Sequence, residues 1–271
     1  MTATSMAESG IDRIAAAFAA ARAEGRAALM PYLMGGFPDM ATSAAVIDAY
    51  ADTGADLIEL GVPYSDPLAD GPVIHAAGTA ALAAGARLDG VLGLCERVAD
   101  RVPVLPMVYA NVALTLGAER FAAALADAGA AGAIIPDLPR AEDPSVAAAL
   151  IERGLAPIGF VSPTTSPERL AGIARDAVGF TYVVSLAGVT GERASLPPEL
   201  GEMVAAVKRE SGAPAAVGFG IGTPEQAAAV GTIADGVIIG TRLVRAVADA
   251  ADAGAAIDAV SGFMADTRTA L

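Results

Sequence analysis

Glu59 interrupts the apolar run Leu57-Ile-Glu-Leu-Gly-Val-Pro, and a carboxyl inside such a segment is expensive to bury unless it is paired or protonated. Desolvation disfavours its charged form and lifts its pKa toward neutrality, where a proton shuttle works best. The bland alternative is a glutamate at a strand end that simply reaches solvent. Directly downstream, Tyr64-Ser-Asp-Pro-Leu-Ala-Asp-Gly-Pro places Asp66 and Asp70 on one loop. Asp70 is either a second working carboxylate or a turn former ahead of Gly71.

Two glycine-bearing strings add a different chemistry. Gly218-Phe-Gly-Ile-Gly and Gly236-Val-Ile-Ile-Gly-Thr-Arg each close an apolar run. Glycines there let backbone N–H groups approach a ligand, and Gly240-Thr241 opens a helix whose N-terminus favours an anion. A third segment, Leu186-Ala-Gly-Val-Thr-Gly-Glu-Arg-Ala-Ser, has the Gly and Thr content of a loop that closes over substrate, though a plain connector reads the same way. His75, the sole histidine, falls on a helical segment and reads as a structural imidazole, and Cys95 as a buried inert thiol. One histidine and one cysteine leave a dedicated His/Cys metal site without ligands.

The elements that must position these groups announce themselves through a weak internal repeat, in which an alanine-rich helix ends at glycine and a short apolar strand follows. Ala51-Asp-Thr-Gly, Ala126-Asp-Ala-Gly, Arg153-Gly and Ala234-Asp-Gly are four copies of that joint. Strands are expected at about 28 to 34, 56 to 61, 103 to 109, 132 to 136, 156 to 160, 180 to 184, 214 to 218 and 235 to 239, with helical segments between. Ser166-Pro-Glu and Thr223-Pro-Glu-Gln each set a capping hydroxyl ahead of a proline suited to a first helical turn. Eight alternations without a dividing linker predict an α/β fold, a single (β/α)8 TIM barrel spanning 1–271 as one domain; a doubly wound open sheet is the runner-up. Extra helices are expected at Ile11 to Ala23, across the bottom of the barrel, and around Leu88 to Ala99 after the second strand. In a barrel, chemistry sits at the C-terminal strand ends, where Glu59, the 62–72 loop and both glycine strings fall.

Composition narrows the function classes. Thirty-one acidic against 17 basic side chains give a formal charge of −14, which opposes binding to nucleic acid or an anionic membrane. The first 26 residues carry Glu8, Asp12 and Glu24 and do not read as a signal peptide, and no stretch approaches a membrane span, so a soluble cytoplasmic protein is expected. A small-molecule substrate or a protein partner fits this balance.

The motif from Glu59 through Asp70-Gly-Pro resembles the signature of the tryptophan synthase alpha-chain family, and Met107-x-Tyr-Ala-Asn, Ser185-x-x-Gly-Val-Thr-Gly and Gly218-Phe-Gly-Ile recur at corresponding places. The likeness runs from about Ile11 to the last helix. It implies a carbon–carbon lyase that cleaves indole-3-glycerol phosphate to indole and glyceraldehyde 3-phosphate in tryptophan biosynthesis. By the same resemblance Glu59 is the acid and base, Asp70 holds the indole N–H, Tyr182 stands near the glutamate, and Thr190 engages the Asp70 loop from the lid. Gly191, Gly220, Gly240 and Thr241 would hold phosphate, with Thr241 in place of the commoner serine, while Tyr32, Met107, Ile134 and Phe160 would line an indole slot. No cofactor is expected in this chain: pyridoxal phosphate belongs to a beta subunit, joined in an alpha2beta2 heterotetramer, that receives the indole. Met34-Gly-Gly-Phe-Pro and Leu186 depart from the family pattern. A lyase working without a partner, a sugar-phosphate isomerase on a related barrel, and a scaffold that only activates a partner are the competing readings.

Overall fold

The computed structural model describes residues 8–139, 143–184, 199–218 and 220–271. Eight parallel strands close in chain order into a barrel: β1 (Ala28–Met34), β2 (Ile58–Gly61), β3 (Val104–Met107), β4 (Gly132–Ile134), β5 (Ala156–Val161), β6 (Thr181–Val184), β7 (Ala215–Gly218) and β8 (Gly236–Ile239). The register pairs Tyr32 with Glu59, Glu59 with Leu105, Phe160 with Tyr182, and Tyr182 with Ala216. Side chains alternate across a strand, so one set of residues faces the interior and the other faces the helices. Met30, Leu105, Ile134, Ile158, Phe180, Ala216 and Ile238 fill the inside, while Leu29, Ile58, Val104, Val183, Val217 and Val237 join the larger core outside it. Both faces are covered, which is why these strands read as unbroken apolar runs.

Helices pack outside: α2 (Met40–Asp52), α4 (Leu88–Val98), α6 (Ala118–Asp127), α7 (Pro144–Glu152), α8 (Pro167–Arg175), α9 (Leu200–Glu210), α10 (Pro224–Gly231) and α12 (Ala253–Ala270). Four more lie at the barrel ends among the described residues: α1 (Gly10–Ala23), α3 (Pro72–Ala83), α5 (Ala110–Leu116) and α11 (Thr241–Ala248). The sequence expectation named two extra helices, α1 and the 88–99 segment. The latter, α4, packs on α2 and β3 as an ordinary barrel helix, and the addition after β2 is α3, which packs on β1 and α11 at the C-terminal mouth.

The capping hydroxyls fall as expected, with Ser166 accepting from the Arg169 N–H and Thr223 from the Gln226 N–H, each at 3.3 Å. Three of the four repeat glycines, Gly54, Gly129 and Gly154, have φ of 71 to 87°, the left-handed region that releases the chain from a helix into a strand. Gly236 departs from that pattern. It opens β8 itself, where a side chain would press on Phe18, Met30 and Ala216.

Helix α1 closes the bottom. Ile14, Phe18 and Ala21 are buried against the inner cluster, and the Phe18 ring meets Phe180 at 5.6 Å. The Arg13 guanidinium bolts the helix down by donating to the carbonyls of Ala99, Gly129 and Val102 at the ends of neighbouring elements. A large-to-small change at a buried phenylalanine costs about 3 to 5 kcal/mol through lost transfer energy and the cavity left behind. Phe18→Ala should therefore lower unfolding stability by about 3 kcal/mol or more in urea titrations with an unchanged m-value; a shift within about 0.5 kcal/mol would show that α1 is not part of the core.

Candidate active site

Strands β1, β2, β3 and β6 send Tyr32, Glu59, Met107 and Tyr182 inward at the C-terminal end, and β8 sends Ile238. With Asp70, Ile74, Gly220, Ile221, Gly240 and Thr241 they line a cavity of about 530 Å³ of empty space, open at the mouth. Two inward glycines make room for the two phenols. A methyl group on Gly61 would collide with the Tyr32 hydroxyl, and one on Gly218 would collide with that of Tyr182. The tyrosine rings therefore lean over strand ends that have no side chain.

Glu59 is 1% exposed, and its Oε1 lacks a hydrogen-bond partner. Burial alone pushes its pKa up to about 8. The group thus sits mainly protonated at neutral pH with its proton labile, the condition a shuttle needs.

Asp70 comes from the loop between β2 and α3, and a neighbouring strand holds it in place. The Tyr109 phenol just beyond β3 accepts from the Ala69 N–H at 3.1 Å and hydrogen-bonds the Asp70 carboxylate. Tyr64 stacks on Tyr109 at 5.2 Å, and Asn111 Nδ2 donates to the Tyr64 hydroxyl at 3.0 Å. The Asp137 carboxylate accepts from the Ala110 N–H at 2.8 Å and fixes the start of α5. Burial raises the Asp70 pKa, while the Tyr109 hydrogen bond and nearby His75 oppose that rise. The two carboxyls are therefore unequal: Glu59 has no compensating donor and Asp70 has one. Asp66 is exposed and outside the cavity, and His75 is exposed on α3.

Gly220, with φ of 85°, faces Gly240 and Thr241 at the start of α11. The first-turn N–H groups of a helix lack partners within the helix and carry its positive dipole end, so this corner can hold an anion. The candidate residues Thr190 and Gly191 lie outside the described residues, as does Leu186.

Of the expected slot residues, Tyr32 and Met107 line the cavity. Phe160 and Ile134 are not among the lining residues: Phe160 stacks its ring on Tyr182 at 4.8 Å, and Ile134 is buried in the inner cluster beside Met107. Sequence reasoning missed Ile74, Ile221 and Ile238. Each had a signal: Ile238 lies two residues before Gly240 on the inward face, Ile221 follows Gly220, and Ile74 sits in the first turn after the Asp70 loop. Tyr109 stood within a quoted motif but received no role. Cys95 is a buried free thiol whose pKa is pushed up to about 12 by burial. Among the described residues no three His, Cys, Asp or Glu side chains cluster as metal ligands.

The family described as "Tryptophan synthase alpha chain" matches residues 18–267. The tryptophan synthase alpha chain of Prochlorococcus marinus is 45% identical over 241 residues, covering 88% of each chain. That of Synechocystis is 42% identical over 264 residues, covering 96% of this chain and all of the relative. Among solved structures, Mycobacterium tuberculosis tryptophan synthase superposes with a TM-score of 0.88 at 38% identity, covering 95% of this chain and 97% of the other. Tryptophan synthase subunit alpha from Legionella pneumophila gives 0.86 at 36% identity, covering 95% and 97%.

A carboxyl whose folded pKa of about 8 exceeds its unfolded value near 4.5 binds more protons in the folded than in the unfolded state between those pH values. Its contribution to stability is fully present below the unfolded pKa and is lost as pH rises through the folded one. Relative to Glu59→Gln, the parent protein should lose on the order of a few kcal/mol between pH 5 and pH 8 in chemical denaturation. Parallel stability curves would show that Glu59 is not desolvated.

Proposed function

The chain belongs to the tryptophan synthase alpha chain family, a family of lyases that cleave indole-3-glycerol phosphate to indole and glyceraldehyde 3-phosphate, and we propose that this cavity performs the cleavage with Glu59 carrying the proton. Protonated Glu59 gives its proton to indole C3. The ring nitrogen becomes cationic, and the Asp70 carboxylate accepts its N–H and stabilises the charge. Glu59, now ionised, removes the proton from the hydroxyl on the carbon bonded to C3. That carbon becomes the aldehyde, the C–C bond breaks, and its electron pair returns to the ring. Indole keeps the first proton and Glu59 regains one, so the carboxyl ends as it began.

The observation that carries this reading is the environment of Glu59: 1% exposed, unpartnered at Oε1, and facing a second, better-hydrogen-bonded carboxylate across one cavity. Tyr32, Met107, Ile74 and Ile238 supply the apolar wall an indole ring needs, with Ile134 and Phe160 backing it. Gly220, Gly240 and Thr241 hold the phosphate at the α11 N-terminus, and Tyr182 sits beside Glu59, whose charge acts on the phenol.

The chain works as one domain, in the cytoplasm, beside a beta subunit in an alpha2beta2 assembly. Pyridoxal phosphate serves that subunit's reaction and takes no part in the steps above. Two apolar side chains next to the site favour a partner: Leu68 on the Asp70 loop is 83% exposed and Leu114 on α5 is 48% exposed. No helix among the described residues is long and apolar enough to cross a membrane.

Glu59→Gln should lower indole release by about 10² to 10⁴ or more, measured with indole-3-glycerol phosphate with and without a beta subunit; turnover like the parent's would remove Glu59 from the mechanism. Asp70→Asn should be severe but less complete, because the amide still accepts the indole N–H and lacks only the charge. Because the cycle begins with protonated Glu59, kcat/KM should fall as pH rises through about 8. A partner-independent rate would point to a lyase that works alone.

A further inference from the structure

Tyr32 has a weakly engaged donor in a site where the Tyr109 phenol is already committed. It pairs in register with Glu59, and both side chains face inward. Because Gly61 has no side chain, the Tyr32 ring leans across β2 and its hydroxyl packs on the Gly61 backbone, two residues beyond Glu59 on the same inward face. That position lies one layer above the Glu59 carboxyl, on the side from which the loop brings in Asp70. Among the described residues the one hydrogen bond of the hydroxyl is to Met34 Sδ at 4.0 Å, a weak acceptor.

The groups around it are accounted for. Tyr50 donates to the Tyr32 carbonyl at 3.2 Å, and Tyr109 is engaged with Ala69 and Asp70. Tyr182 stands near Glu59 from β6, and exposed His75 acts on Asp70 from α3. Burial first, then the charges of Asp70 and Glu59, keep the Tyr32 phenol un-ionised and therefore able to donate.

We propose that the Tyr32 hydroxyl, which rests on Met34 Sδ in this structure, is a positioning group that turns to whichever carboxyl is ionised: Asp70 before the proton transfer, and Glu59 once it has given its proton to the ring. Midway through the reaction both carboxyls are charged, and Asp70 alone has the Tyr109 donor. A hydroxyl on a thioether loses little when it turns to a carboxylate, whereas a hydrogen bond to a charged group is among the stronger ones. This inference rests on the proton-carrier reading of Glu59 given above.

Tyr32→Phe keeps the ring and removes the donor. Both carboxyls would then resist ionisation more, so both limbs of the pH–kcat/KM profile should move up by about half to one pH unit. Loss of the donor from the doubly ionised stage should cut kcat by about tenfold or more with KM within about twofold. Placing 3-fluorotyrosine at position 32, a stronger donor of nearly the same shape, should move both limbs down, which a packing role would not do. A Tyr32→Phe profile that superimposes on the parent's, with Glu59→Gln inactive in the same assay, overturns the role of Tyr32 and leaves the lyase mechanism standing. Parent-like turnover by Glu59→Gln overturns the proton-carrier reading and this inference with it.

Discussion

The removal of the Glu59 carboxyl from water is the interaction on which the site depends. A side chain with an ordinary pKa near 4.5 could not hold a proton at neutral pH, and burial alone raises this one to about 8. Nothing in the cavity offsets the penalty by hydrogen-bonding Oε1, so the carboxyl remains poised between protonation states. An Arg or Lys beside it would have made it a permanent anion, unable to serve as the proposed proton carrier.

The barrel meets the cost of this burial with apolar packing elsewhere. Inside, side chains from alternate strand positions fill the lower layers, and α1 seals them from below with Ile14 and Phe18. Outside, a second and larger core joins strands to helices. The top inner layer then has room for Glu59, for two tyrosines leaning over Gly61 and Gly218, and for a cavity between them. Stability and reactivity occupy different layers of one cylinder.

The different settings of the two carboxyls follow from the elements that carry them. Glu59 is on a strand, fixed by the ladder, with no hydrogen-bond partner at Oε1 among the described residues. Asp70 is on a loop, and the loop is fastened across to Tyr109 and, through Asn111 and Asp137, to the segments beyond β3 and β4. One carboxyl is held by geometry without compensation and the other with it, so burial acts on the two unequally.

Much of this was legible in the residues. Eight apolar runs separated by helical stretches pointed to buried parallel strands, which alone tolerate such uniform apolarity, and favoured a closed barrel over a doubly wound open sheet; Glu59 stood out because it broke one of the runs. The positions of Asp70, Gly220, Gly240 and Thr241 followed from the rule that strand C-termini face one end. Other features depended on distance in space rather than along the chain. That Tyr109 would reach Asp70, that Ile74 and Ile238 rather than Ile134 would line the cavity, and that α3 rather than α4 would be the added helix are set by strand tilt and by how the loops fold over the mouth. Local patterning decides which face of a strand a residue occupies, whereas the depth of that residue in the barrel, and the neighbour it meets there, is decided only when all eight strands close.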